Sequence, residues 1–147
     1  MKKYIPIIYI VLFIIIDQVL KILCARDLML IEGFLKFSNI QNTGGAFGIF
    51  NSNIIIMIIL NIILIAFMIR FILIRRKYMN IKVYVGLLFL IAGGISNLID
   101  RIFRGYVVDY IDFTQIIDFP VFNLADIVLV VGWFLLIIGI LKDIRKE

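Results

Sequence analysis

The sequence predicts an all-α membrane protein, a bundle of four transmembrane helices. Three observations predict it. Of 147 residues, 64% are hydrophobic and 17% charged, against roughly 45–50% and about 25% in soluble domains. Apolar runs recur at about residues 5–22, 54–74, 83–99 and 124–141, each near the ~20 residues that carry a helix across ~30 Å of hydrocarbon. Basic residues cluster where these runs end, as membrane topology requires. A chain of this length is read as one integral membrane domain, residues 1–147.

The first run follows Met1-Lys2-Lys3, as the apolar part of a signal peptide would. No A-x-A-like cleavage site follows it, and Asp17 and Lys21 interrupt it, so it is expected to be retained. Those two residues are spaced i, i+4. The simple expectation is an ion pair within the helix, with Lys21 snorkelling to the headgroups. The functional one is that Asp17 helps orient an active-site loop, because an Asp about one turn inside the membrane costs roughly 2–3 kcal/mol.

Residues 23–53 are too many for a simple turn. Glu32 to Ile40 suits short extended segments, and Asn42-Thr43-Gly44-Gly45-Ala46-Phe47-Gly48 is rich in turn formers. The second run is full of isoleucine, yet an isolated strand would leave backbone groups unpaired in lipid, so helix is expected. The third run closes on Gly93-Gly94-Ile95-Ser96-Asn97-Leu98-Ile99-Asp100-Arg101. Its small residues permit close helix contact. Asn97, Asp100 and Arg101 exceed what packing needs, and polar clusters in a span mark sites. Residues 100–123 hold a β-branched run, Val107 to Ile111, and a turn expected near Asp118-Phe119-Pro120. Asn123 looks like the N-cap of the fourth helix. Asp126 then falls at its third position, where a carboxylate favours the helix dipole.

The basic residues assign the sides. Lys2, Lys3, Arg70, Arg75, Arg76, Lys77, Lys82, Lys142, Arg145 and Lys146 fall on one side, and Lys21, Arg26, Lys36, Arg101 and Arg104 toward the other. Both termini are therefore expected to be cytoplasmic. Eight of the ten acids then lie on or near the outer face, so the polar chemistry is extracytoplasmic.

Histidine is absent and there is one cysteine, Cys24. That excludes an internal disulfide and the common N/S-ligand metal sites. Two carboxylates beside apolar spans, Asp109 and Asp126, remain as a candidate pair. Close carboxylates share a proton, so one activates water while the other polarises a carbonyl. Asp112 is the alternative to Asp109, as the solvated carboxylate of the same strand. A Ser–Lys hydrolase is the rival chemistry, with Ser38, Ser52 or Ser96 and the membrane-embedded Lys21.

Five ordered blocks carry a resemblance. They are Asp17-Gln18-x-x-Lys21, the Asn42–Gly48 stretch, Gly93-Gly94-x-x-Asn97-x-x-Asp100-Arg101, Val107-Val108-Asp109-Tyr110-Ile111 and Phe122-Asn123-x-Ala125-Asp126. Over nearly its whole length the chain resembles the lipoprotein signal peptidases, or signal peptidase II family. These are bacterial inner-membrane aspartyl proteases that cut prolipoproteins just before a diacylglyceryl-modified cysteine. The resemblance implies Asp109 and Asp126 as the catalytic dyad, with Asn123 and Arg101 positioning the substrate backbone and the active site. Asp17, Lys21, Asn42, Asn97 and Asp100 would support them. It implies a small β-rich extracytoplasmic cradle and a short helix over the site, prolipoproteins and membrane lipids as partners, and a monomer. Gly45, Ile95 and Ser96 depart from the residues common at those positions, which bears on packing and not on chemistry.

A proton relay or transporter subunit and a purely structural membrane partner are the competing classes. A relay should spread charges through the membrane depth, whereas here they gather near one face. No cofactor and no metal is expected. Full activity after exhaustive chelation is the expected result. Loss that Mg²⁺ restores would instead point to a carboxylate site near Asp100, Asp109 and Asp126.

Overall fold

The computed structural model describes residues 5–44 and 53–144. Four long apolar helices account for the four runs: α1 (Ile5–Cys24), α2 (Ile54–Arg75), α3 (Ile81–Phe103) and α4 (Leu124–Ile144). Each is long and apolar enough to cross a membrane. Asn53 starts α2 by accepting from the Ile56 amide at 3.3 Å, and Asn80 starts α3 by accepting from Val83 at 3.0 Å. Both satisfy amides that a helix N-terminus leaves free. The Asn80 side chain also donates to Gly139 O at 2.8 Å and Asp143 Oδ2 at 2.6 Å, which ties the terminal ends of α3 and α4 together.

Helix α3 is the core. Eleven of its residues are buried, against one in α2 and three in α4. The outward faces of the other helices expose isoleucine, leucine and phenylalanine, as lipid-facing surfaces do. In lipid the packing of α3 on α4 gains nothing from excluding water, so close backbone approach must hold it. A Cβ on Gly86 would lie 2.8 Å from the Gly132 carbonyl oxygen and 2.8 Å from the Leu136 nitrogen. Both are backbone, so the helices would have to part. We expect Gly86→Ala to lower stability by about 1–3 kcal/mol, the usual cost of overpacking. Thermal unfolding in detergent checks this, and a variant as heat-stable as the parent would refute the close contact.

A three-stranded antiparallel sheet caps the end away from the termini, in the order β1 (Leu28–Ile31), β2 (Leu35–Asn42) and β3 (Val107–Asp112). Gly33, at φ +69°, turns β1 into β2. Strand β2 pairs with β3 at Lys36↔Asp112, Ile40↔Asp109 and Asn42↔Val107, with an irregularity between Phe37 and Ile40. Asp109 thus sits within its strand, not at its end. The expected reversal also starts earlier. The turning begins at Phe113, with Ile116 N donating to Phe113 O at 2.9 Å, and runs on through a tight turn at Asp118, where Phe119 N donates to Ile117 O at 2.8 Å. Asp112 starts it early by accepting from Thr114 N at 2.8 Å and Thr114 Oγ1 at 2.6 Å, the local bonding by which Asp initiates turns. The chain then returns so that Phe122 pairs with Ile111.

The Asn42–Gly48 stretch is described to Gly44; its remainder lies outside the described residues, as do Ser52, Lys2, Lys3, Arg145 and Lys146. The short outer helix is not found among the described residues.

Candidate active site

The site begins in the last turns of α1. Asp17 and Lys21 share one face and are fully buried. Lys21 Nζ lies 2.9 Å from Asp17 Oδ2, 2.9 Å from Asp100 Oδ2 and 2.8 Å from Asn97 Oδ1. An ammonium has three donors, and all three are used. Snorkelling is therefore overturned: α3 places better acceptors beside Lys21 than the headgroups offer.

Among the described residues Asp17 bonds helices and not a loop. Its Oδ1 accepts from Ala125 N at 3.0 Å, so it satisfies one of the free amides that open α4. Its Oδ2 accepts from Ser96 Oγ at 2.5 Å. Asp100 points away from Arg101, because successive helical residues point about 100° apart, and shares the Lys21 side of α3 with Asn97, three residues before it. It accepts from Lys21, from Val108 N at 3.2 Å, from Gln18 Nε2 at 3.0 Å and from Arg104. One carboxylate thereby joins α1, α3 and β3.

Asn123 caps α4 as expected. Its Oδ1 accepts from Asp126 N at 3.0 Å, and Asp126 Oδ2 accepts from Asn123 N at 3.1 Å. This is a reciprocal capping arrangement. The Asn123 side-chain amide, fully buried, also donates to Asp109 Oδ1 at 2.7 Å. The other oxygens are held in the same way. Asn42 Nδ2 donates to Asp109 Oδ2 at 2.9 Å, and Asn97 Nδ2 donates to Asp126 Oδ1 at 2.9 Å. Asn97 also accepts from Lys21, so the buried ion cluster orients the amide that orients Asp126.

Asp109 and Asp126 line one cavity of about 360 Å³. Arg101 borders it, and Leu129, Val130 and Trp133 extend its wall along α4. Arg101 donates to Gly44 O at 3.1 Å, while its buried Nε has no acceptor among the described residues. Burial pushes the Asp109 carboxyl up to about 7, and the negative charge of Asp126 adds to this, against the Asn42 and Asn123 hydrogen bonds and the Lys21 charge.

Asp112 is not the solvated carboxylate. It is buried, bonded by Ser38 Oγ at 2.6 Å and paired with Lys36 at 3.3 Å, and it does not line the cavity. Burial pushes its carboxyl up, but the Ser38, Thr114 and Lys36 bonds outweigh that and hold it well below the usual carboxylate range.

All nine expected site residues converge at the sheet end. Gln18, Ser96 and Arg104 belong to the same network, though none was expected to support the carboxylate pair. Their polar side chains in or beside apolar spans were the available signal.

Known proteins are similar to this chain over nearly its whole length. The family model described as signal peptidase (SPase) II matches residues 9–142. The chain belongs to the signal peptidase II family. A lipoprotein signal peptidase of Clostridium tetani is 39% identical, with 93% of this chain and 92% of that protein covered. One of Staphylococcus aureus is 37% identical, with 99% and 95% covered. A bacterial membrane enzyme solved by the in meso method at 2.3 Å shares the fold at TM-score 0.87 and 34% identity, covering 97% of this chain and 90% of that one. A second, at 1.9 Å, gives 0.82 and 35%, covering 94% and 93%. As a signal peptidase II the chain is a multi-pass membrane peptidase. The Ser–Lys rival loses its base: Lys21 is triply bonded, Ser96 donates to Asp17 and Ser38 donates to Asp112.

Proposed function

We propose that this chain removes signal peptides from diacylglyceryl-modified bacterial prolipoproteins, cutting just before the lipidated cysteine, with Asp109 and Asp126 as its acid–base pair. One observation carries the reading: Asn123 hydrogen-bonds both carboxyl groups at the wall of one cavity that runs along α4. A substrate held in the bilayer by a lipid and an apolar helix meets apolar α4 side chains on its way to the carboxyls.

The two carboxyls share one proton, which we assign to Asp109, whose carboxyl burial and the Asp126 charge push up to about 7. Ionised Asp126 takes a proton from water, whose oxygen attacks the scissile carbonyl carbon. Asp109 gives its proton to the carbonyl oxygen. The resulting diol collapses: Asp126 passes its proton to the leaving cysteine nitrogen, and Asp109 recovers a proton from the diol. The products are a signal peptide with a new carboxylate and a lipoprotein with a free cysteine amine. Arg101 Nε, free of an acceptor among the described residues, would take a substrate carbonyl. Asn42, Asn97 and Asn123 fix the carboxyls, and Asp17, Lys21 and Asp100 fix those amides and the start of α4.

The ten-to-five division of basic residues supports cytoplasmic termini and a site near the outer face. Reconstituted protein given lipid-modified and unmodified prolipoprotein tests the reading. Signal-peptide release from the modified form is expected, and no release from it would refute the proposal.

Activity should fall as pH rises through about 7, where Asp109 loses its proton, by up to about tenfold per unit at the limit. The groups facing Asp109 are Asp126, Lys21, Asn42 and Asn123. Its contribution to stability has the same sign. A raised carboxyl stabilises the fold below the ordinary carboxylate range, and that is lost as pH rises through about 7. A kcat/KM profile flat to pH 9 would contradict the assignment of the proton to Asp109.

A further inference from the structure

Asp109 stands between two cavities. The second, of about 710 Å³, shares Asn42, Asp109, Phe119, Pro120 and Val121 with the first, so the two adjoin at the carboxyl. Their other walls differ in kind. The first is completed by helix residues, among them Leu129, Val130 and Trp133. No residue of any transmembrane helix lines the second; its wall is Ile40, Gln41 and Thr43 from the end of β2, with Thr114 and Asp118 from the loop after β3. It is therefore the more polar of the two, though Ile40, Phe119, Pro120 and Val121 keep much of its wall apolar, and it lies at the sheet, away from the spans. Asp118 is exposed, and neither Lys nor Arg lines this cavity.

A prolipoprotein at the site has three parts with different needs. The signal helix and the diacylglyceryl group are apolar and must stay on the bilayer side. The chain after the cysteine is polar and must leave the membrane. We infer that the second cavity seats the first residues of the mature chain beyond the scissile bond, in extended form, and that Asp118 favours basic over acidic residues among them. This rests on the peptidase reading above.

The test uses the full chain reconstituted in vesicles and three diacylglyceryl-modified prolipoproteins. They differ only in carrying Lys, Gln or Glu within the first few residues after the cysteine. The unmodified enzyme should prefer Lys to Glu in kcat/KM by about two- to fivefold, the scale of an exposed ion pair. Salt at ~1 M should erase the preference. Asp118→Asn should bring the ratio toward one, and Asp118→Lys should reverse it. Glu32→Lys, the same charge change on the exposed β1–β2 turn, should leave the order unchanged. Because each enzyme is compared with itself, partial misfolding cancels from the ratio. The same Lys-to-Glu ratio in the parent and Asp118→Lys would overturn the inference while leaving the peptidase intact. Failure of the parent enzyme to cut even the Gln substrate would sink the peptidase reading, and this inference with it.

Discussion

Asp109→Asn and Asp126→Asn should each cut kcat on the order of 10²–10⁴-fold, the range that acid–base groups contribute. Each exchange keeps the volume but removes an ionisable oxygen. On the proposed mechanism, Asp126→Asn removes the base that takes the water proton and Asp109→Asn the acid that donates to the carbonyl. Both oxygens of each carboxyl accept hydrogen bonds from amides, so each Asn sets its own N–H₂ against a donor. That costs about 1–3 kcal/mol of stability, which thermal unfolding separates from the loss of rate. The double variant should be scarcely slower than either single one, because groups that act as a unit are not additive. Losses that multiply would mean two independent roles and would contradict a dyad.

Lys21→Met should destabilise the protein more than other single changes on α1. The side chain of Lys21 is fully buried between two fully buried carboxylates, Asp17 and Asp100. Removing it strands both charges, at about 3–5 kcal/mol for a broken buried pair. An exposed, snorkelling lysine would cost about 0–1 kcal/mol. Adding Asp100→Asn to Lys21→Met should recover part of the loss, because one stranded charge disappears. Activity should fall through Asn97, which Lys21 orients toward Asp126. Unfolding temperatures of the single and double variants decide the matter. A Lys21→Met protein as stable as the parent would show that the buried cluster does not hold the bundle.

The local features of this chain were legible because their causes are local. The four spans follow from apolar runs, and Asn123 with Asp126 follows from the chemistry of a helix start. What crossed between elements was not. Spacing shows that Lys21 lies one turn from Asp17, but not that α3 brings Asn97 and Asp100 to the same ammonium. Ser96 reads as a small residue for packing until α1 is placed against it, where its hydroxyl becomes a donor to Asp17. Asp112 reads as solvated until Ser38 on β2 is paired opposite it. The turn at Asp118 was legible from the Pro near residue 120, but not the earlier start of the reversal, because the Asp112–Thr114 bonds that begin it need the strand's end to be known. The candidate dyad shows the same division. Each aspartate stands out in its own segment, but only the sheet and α4 together bring them to one cavity.

The most direct test of the dyad as a lipoprotein-processing centre is the mass of the products. Purified protein and its Asp126→Asn variant would be incubated with one diacylglyceryl-modified prolipoprotein, and both fragments weighed. The account predicts a lipoprotein that begins at the lipidated cysteine and an intact signal peptide from the parent protein, with neither from the variant. Cleavage at another bond, or the same two masses at comparable rates from Asp126→Asn, would contradict it.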